Sequence, residues 1–246
     1  MRAMVLAAGI GSRLRPLTDR TPKPLIAVAG KPLIAYSLAL LRAAGIREVI
    51  INLHHRGEDV RAALGDGAGY GMAITYSVED PILDTGGAIK KAKPFLEGGR
   101  FAVLNADIIC DVDLRRVIAW HAQHRALATM VLRPDHDARR YGVIEIDADG
   151  RIRRFLGQPA TVDEPLTPLM FAGIHLFEPG VFRYMDDEED RFGINRVTYP
   201  RLLAAGCPIY GYRFDGFWRV LDTHEGLAEG RQQLVAGGRL APRYLP

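Results

Sequence analysis

Through the first half of the chain, short apolar runs alternate with stretches whose apolar residues recur every three or four positions. The runs "AMVLA" (residues 3–7), "EVIINL" (48–53), "AITYS" (73–77) and "FAVLNAD" (101–107) read as buried strands. Between them, "PLIAYSLALLRAA" (32–44) predicts a helix that stops at Gly45, and "GGAIKKAKPFL" (86–96) predicts another. Strands separated by helices need crossover connections, so the pattern predicts an α/β fold with a mostly parallel central sheet. The second half changes character. "YGVIEIDADGRIRRF" (141–155) alternates strand-like residues around an Asp-Gly turn and predicts a hairpin. "FAGIHLF" (171–177) and "PIYGYRF" (208–214) predict strands, while "NRVTYPRLLAAG" (195–206) and "THEGLAEGRQQLVAGG" (223–238) predict helices. "GQPATVDEPLTP" (157–168) and the acidic "MDDEED" (185–190) read as loops, the second a solvated surface run. There is no internal repeat and no long linker.

Composition narrows the class. At 246 residues with 48% hydrophobic and 25% charged residues, the chain can bury one large core. A net charge of +3 gives no whole-molecule attraction for nucleic acid or an anionic membrane, so any cationic site must be local. Two cysteines, Cys110 and Cys207, are too few for a disulfide framework, and the default compartment is the reduced cytoplasm. The apolar run at the N-terminus is short and leads straight into charge, unlike a signal peptide. No stretch approaches the roughly 20 apolar residues of a membrane-spanning helix.

Local charge is concentrated directly behind the first strand. "LAAGIGSRLRPLTDRTPKPL" (6–25) places Arg13, Arg15, Arg20 and Lys23 around Gly9 and Gly11. In a parallel sheet, ligands collect beyond the carboxyl ends of strands, where this loop lies. Glycines let successive amides turn inward as an anion-binding nest, and arginine and lysine add a forked donor and a point charge. The glycines alone fit an ordinary tight turn equally well. The stretch as a whole points to a polyphosphate, although it lacks both the third glycine of a dinucleotide fingerprint and the Gly-Lys-Ser/Thr ending of an ATPase loop. Lys23, between Pro22 and Pro24, is expected on a stiff extended arm that holds its ammonium in place.

Two further groups belong at the same sheet edge. In "LNADIICDVD" (104–113), Asp107 falls just past a strand, where a carboxylate can hold Mg²⁺ against phosphate oxygens. Asp111 and Asp113 are less specific, and Asp113 is placed to cap the helix beginning "LRRVIAWH". In "EDPILDTGGAIKKA" (79–92), Thr85, Gly86 and Gly87 sit at a helix start, where free amides suit a flat base or a phosphate; turn residues look the same.

Taken together, these segments resemble the sugar-1-phosphate nucleotidyltransferases, the nucleotide-sugar pyrophosphorylases. The likeness runs from the 6–25 signature through Thr85, "LNAD", the 141–155 hairpin and "FAGIHLF" to "FWRVLDTHEGL" (217–227). Short length, "DTGG" and "FAGI" look closest to the N-acetylmuramate-1-phosphate uridylyltransferase branch, with mannose-1-phosphate guanylyltransferases close behind. The resemblance implies a Rossmann-like three-layer α/β/α domain with a mixed, mostly parallel sheet. It makes residues 1–246 a single nucleotidyltransferase domain, with a nucleotide-binding half at about 1–110, a sugar-phosphate half at about 111–246 and no C-terminal β-helix. It implies Mg²⁺ as cofactor and attack of a sugar-1-phosphate on the α-phosphorus of a nucleoside triphosphate, with UTP or GTP favoured. Leu6, Ala8, Gly9, Gly11, Ser12, Arg13, Lys23, Thr85 and Gly86 then hold the nucleotide, with Arg13 and Lys23 catalytic. Asn105, Gly142 and Gly173 contact the sugar phosphate, and Asp107 and Asp222 bind the metal. Neither nucleic acid nor membrane is implied as a partner, and a homo-oligomer is compatible with the sequence.

Three departures qualify this. Gly157–Pro159 reads "GQP" where the family usually has Glu-Lys-Pro, so the second lysine is absent and Arg139, Arg140 or Arg154 becomes its candidate replacement. Ala106 stands where glycine is common. "WRVLDT" puts Val220 at the family's aspartate position and Asp222 two residues beyond. Either the chain bulges between Trp218 and Asp222, returning the carboxylate to the metal, or Asp222 is the N-cap of a helix starting at Thr223 with Glu225 in its first turn. Other functions remain open: a non-catalytic nucleotide-sugar sensor or regulatory subunit, or a cytidylyltransferase for an amino-alcohol phosphate.

Overall fold

The structure, a computed structural model, describes residues 1–135, 142–185 and 188–237. From the N-terminus come β1 (Arg2–Leu6), α1 (Leu17–Arg20), β2 (Ala27–Val28), β3 (Lys31–Pro32), α2 (Leu33–Ala43), β4 (Glu48–Leu53), α3 (Gly57–Leu64) and β5 (Ala73–Val78). Next are α4 (Asp84–Lys91), α5 (Lys93–Leu96), β6 (Phe101–Asn105), β7 (Ile108–Cys110), α6 (Leu114–Gln123) and β8 (Ala128–Arg133). The remainder holds β9 (Val143–Ile146), β10 (Ile152–Phe155), β11 (Thr167–Phe177), α7 (Thr198–Ala204), β12 (Ile209–Arg213), β13 (Trp218–Val220) and α8 (His224–Gly237). The chain divides into two compact units. One takes Met1–Ile82, Val103–Leu114 and the described residues from Gly216 onward; the other takes Leu83–Ala102 and Arg115–Asp215.

In the first unit β1, β4 and β5 pair in parallel, with Leu6 beside Asn52 and Asn52 beside Ser77, so their carboxyl ends share one edge. β6 flanks β1 on its other side. Ala3, Met4, Val5, Val49 and Ile51 are fully buried, as expected of parallel strands covered on both faces. α2 is buried at nine successive residues from Leu33 to Leu41, which suits a helix apolar around its whole circumference. It ends where Gly45 adopts φ +83° and the amides of Gly45 and Ile46 reach back to the carbonyls of Arg42 and Leu41. Two small antiparallel ribbons complete the unit, β2 with β3 and β7 with β13.

The second unit carries strands in the order β10, β9, β11, β8, β12, antiparallel except that β12 runs parallel to β8. The predicted hairpin is present as β9 and β10. Asp147 Oδ1 accepts the amides of Asp149 and Arg151, and Gly150 takes φ +81°. Of that stretch, Tyr141 lies outside the described residues, as do Asp186 and Asp187 of the acidic run. "FAGIHLF" is the end of a longer strand whose register shifts between Phe171 and His175, and Gly173 at φ +87° lies inside that bulge. Inside the unit, Phe155 stacks on Tyr199 at 5.1 Å, and the Tyr199 hydroxyl lies 2.8 Å from His175 Nδ1.

The helix expected over 86–96 is two. Pro94 has no amide to donate, so the first helix closes and α5 starts afresh at Lys93. The helix expected from Asn195 begins at Thr198, after a turn in which Val197 and Thr198 donate to Gly193 and Ile194. No described helix is long and apolar enough to cross a membrane.

Candidate functional site

The loop after β1 is held from several sides within the first unit. Leu6 accepts the Ala106 amide at 3.1 Å, and Ala8 is buried. Gly9 is open: a β-carbon there would meet nothing within 4 Å. Gly11 is constrained, at φ +69° with Thr18 Cγ2 2.8 Å from where its β-carbon would be, while Thr18 Oγ1 donates to its carbonyl at 2.9 Å. Ser12, Arg13 and Leu14 form a 3₁₀ turn.

The extended arm expected at Lys23 is corrected. Pro22 is extended, but Lys23–Leu25 is a 3₁₀ turn closed by Leu25 donating to Pro22 at 2.8 Å. The ring-fixed φ of Pro24 fits that turn, so two prolines produce a bend rather than a rod. The turn aims Lys23 Nζ at Asp107 Oδ2, 2.6 Å away, with both side chains largely enclosed.

Asp107 lies between β6 and β7, as its place in "LNAD" predicts. The β7–β13 ribbon then brings the late segment beside it. Trp218, Arg219 and Val220 face Cys110, Ile109 and Ile108, the Leu221 amide donates to the Asp107 carbonyl at 2.8 Å, and the Asp111 amide donates to Phe217 at 3.1 Å. The register shows no shift from Trp218 to Val220 and the Leu221 bond continues it, so the expected bulge is absent. Asp222 follows directly, is 8% exposed, and its Oδ2 lies 2.8 Å from an Arg13 guanidinium nitrogen. Nor is Asp222 the helix cap. Thr223 Oγ1 accepts the Gly226 amide at 3.1 Å, the N-cap contact for a helix starting at His224, with Glu225 in the first turn.

α8 also secures the loop: His224 Nε2 donates to the Arg15 carbonyl at 2.9 Å, and Arg231 donates twice to Ala27. Thr18, His224 and Arg231 were not singled out in the sequence, since each acts on a backbone carbonyl set by the fold. Burial pushes the Asp111 carboxyl up, opposed by a hydrogen bond from the Phe217 backbone.

Among the described residues no group of three or more His, Cys, Asp or Glu side chains could hold a metal ion. Mg²⁺ does not need one. It binds through one or two carboxylates and completes its shell with substrate phosphate oxygens and water, which fits the oxygen donors of Asp107 and Asp222.

The second unit holds the other predicted residues. The free amides expected at Gly86 and Gly87 are not free, because both donate to the Phe192 carbonyl, at 2.8 and 3.1 Å. A β-carbon at Gly86 would strike the Phe192 ring and one at Gly87 the Asp190 carbonyl, so these glycines let that segment lie on the helix start. Thr85 Oγ1 accepts the Ile194 amide at 3.0 Å. Gly142 has φ +95° and Leu156 where a side chain would go. Arg154, one candidate for the missing lysine, bonds both Glu145 oxygens at 3.1 Å and the Pro159 carbonyl at 3.0 Å. Arg139 and Arg140 lie outside the described residues. Gln158 lines a cavity of about 960 Å³ in this unit, walled by Phe155, Asn195, Pro200 and Leu203, and none of the predicted site residues borders it. In the first unit, the Asn105 carbonyl accepts the Ser37 hydroxyl at 3.2 Å.

The fold matches that of solved structures. HddC from Yersinia pseudotuberculosis, solved with GMP-PN, superimposes with a TM-score of 0.78 over 95% of this chain and 99% of its own, at 20% identity. At that identity the likeness shows the α/β architecture alone. The family is shown by sequence: the nucleotidyl transferase model matches residues 2–236, and the chain belongs to that family. Among curated relatives, mannose-1-phosphate guanylyltransferase of Mycobacterium tuberculosis is 34% identical over 236 residues, covering 96% of this chain and 65% of the relative. N-acetylmuramate α-1-phosphate uridylyltransferase of Neisseria meningitidis is 38% identical over 187 residues, covering 74% of this chain and 77% of the relative. The chain thus spans slightly less than two thirds of the mycobacterial protein's length.

Proposed function

We propose that this chain is a Mg²⁺-dependent sugar-1-phosphate nucleotidyltransferase using UTP or GTP. The observation that carries the reading is the pair of ion contacts Lys23–Asp107 and Arg13–Asp222, which set two cations of the glycine loop against two carboxylates. The amides of Gly9, Gly11 and Ser12 and the Arg13 guanidinium hold the triphosphate. Lys23 neutralises the α-phosphate as a sugar-phosphate oxygen bonds to the α-phosphorus and the bond to the bridging oxygen of pyrophosphate breaks. Asp107 and Asp222 would hold Mg²⁺, which would supply charge neutralisation on the phosphates. By family resemblance, Thr85 and Gly86 are assigned to the nucleotide, and Asn105, Gly142 and Gly173 to the acceptor. No covalent intermediate is required, because prepositioned charge and in-line alignment supply the acceleration.

The test is a pyrophosphate-release screen of ATP, CTP, GTP, UTP and dTTP against a panel of sugar-1-phosphates, with and without Mg²⁺. Turnover with one pair, abolished by chelation, supports the reading. Triphosphate binding without turnover on any acceptor would instead make the protein a nucleotide sensor or regulatory subunit.

A further inference from the structure

At the sheet edge beside the loop lies a buried polar pair that neither the hydrophobic core nor the roles above account for. Asn52 is 4% exposed and Glu79 1% exposed. Asn52 closes the β1–β4 register opposite Leu6. The next residue of the first strand, Ala7, donates its amide at 2.7 Å to the Asn52 side-chain oxygen. The following β4 carbonyl, that of Leu53, is taken by the Glu79 amide at 2.8 Å. A side chain has therefore replaced the main chain as acceptor at the residue where the first strand leaves the sheet.

That replacement creates a demand. The Asn52 amide nitrogen is enclosed and needs an acceptor, which Glu79 Oε1 provides at 2.7 Å. Glu79 is held in turn by His54, whose Nδ1 donates to its carbonyl at 2.9 Å. The orientation of the Asn52 amide admits one solution: its oxygen must face a donor N–H and its nitrogen a carboxylate. Burying a carboxylate and an amide at a strand end costs free energy that an ordinary ladder would avoid.

What the pair secures is the loop. Asn52 fixes Ala7, and Thr18 fixes Gly11 from the other side at 2.9 Å. Between these anchors the amides of Ala8, Gly9 and Ile10 donate to nothing among the described residues. Three consecutive amides without an acceptor among the described residues thus lie between two fixed points, available to a ligand.

We propose that Asn52 and Glu79 are positioning residues that hold the loop carrying the Gly9, Gly11 and Ser12 amides in the geometry a triphosphate requires. The proposal rests on the nucleotidyltransferase reading. Its test exploits the complementarity of the pair. Asn52→Asp sets two carboxylates against each other. Adding Glu79→Gln restores one acceptor for Ala7 and one donor between the side chains. Loop amide hydrogen exchange is followed by mass spectrometry, UTP and GTP binding by calorimetry, and KM for each substrate by steady-state assay.

Asn52→Asp is expected to speed exchange over residues 7–13 and weaken triphosphate binding roughly tenfold, the effect of one buried hydrogen bond. KM for the sugar phosphate should stay within about twofold, and the double variant should recover both losses. If Asn52→Asp lowers the melting temperature yet leaves loop exchange and triphosphate affinity unchanged, the pair is structural only and the proposal fails. If wild-type protein binds neither UTP nor GTP, the functional reading fails with it, while loop exchange still reports separately whether the clamp exists.

Discussion

Asp222→Asn separates the two roles that sequence left open for that carboxylate. The substitution keeps the shape and removes the charge beside Arg13. The Arg13 side chain is 65% exposed, so water screens the pair, and its loss costs about 1 kcal/mol or less. For a chain of this size that lowers the melting temperature by no more than about 4 °C. The helix cap is untouched, because Thr223 makes it. Activity should behave differently. A carboxylate serving the phosphate-bound cation stabilises charge that moves in the transition state, and losing one such contact typically costs ~10²–10³ in kcat. Thr223→Ala is the mirror experiment: it should cost about 1 kcal/mol of stability and leave kcat nearly unchanged. Steady-state kinetics across a magnesium titration, with thermal melts of both variants, read all four effects. Full activity and an unaltered magnesium requirement in Asp222→Asn would refute the assignment.

If Lys23 neutralises the α-phosphate as proposed, Lys23→Ala should lower kcat by ~10³-fold or more with a smaller change in either KM; near wild-type turnover would remove Lys23 from catalysis. Gly11→Ala puts a methyl 2.8 Å from Thr18 Cγ2 at φ +69° and should cost roughly 1–2 kcal/mol while raising the triphosphate KM. Adding Thr18→Ser, which keeps the hydroxyl bond and removes the methyl, should recover part of that loss, and no recovery would place the damage in the backbone alone. Burial lowers His175 to about 3, and burial with the nearby Arg100 charge lowers His121 to about 4. Both are neutral when folded and take protons when unfolded, so the stability they protect is complete above about pH 6.5. Below that it falls by about 1.4 kcal/mol per pH unit for each, until the folded pKa is reached. Urea midpoints at pH 7.5 and 5.5 should differ accordingly, and His121→Gln should flatten the slope; a flat wild-type profile would contradict the burial argument.

Most elements were legible because their patterns are local. β1, β4 and β5 show as apolar runs, α2 as an uninterrupted apolar helix with glycine at its end, and the hairpin as alternation around Asp147–Gly150. Asp107 and Lys23 stood out because each carries a local signal, a strand end for the first and flanking prolines for the second. The Lys23 turn and the break before Pro94 are set locally by proline, whereas the other failures depend on partners distant along the chain. β7 and β13 have three residues each, too few to show a period, and their pairing joins segments 108 residues apart in register at Trp218 and Cys110. Without that ribbon Asp222 looked displaced, and a bulge was the local remedy. Gly86 and Gly87 looked like a ligand platform because nothing nearby in sequence announces Phe192. Asn52 and Glu79 were not singled out at all, since their bond joins a strand end to a residue 27 positions away.

The ribbon also explains how a shifted aspartate can stand beside the loop without distortion. A ladder that runs regularly through Leu221 delivers residue 222, not 220, to the point where the chain turns into α8. Val220 sits within the ladder, facing Ile108. The carboxylate at the exit is the one that meets Arg13, so charge contact follows the end of the ladder rather than spacing from Trp218. The two ion pairs then differ in a useful way. Lys23 and Asp107 are 14% and 26% exposed, whereas Arg13 is 65% exposed. Water weakens the second pair far more than the first. Arg13 is therefore the cation whose carboxylate contact is more easily exchanged for another anion, while Lys23 is held in the more enclosed pair.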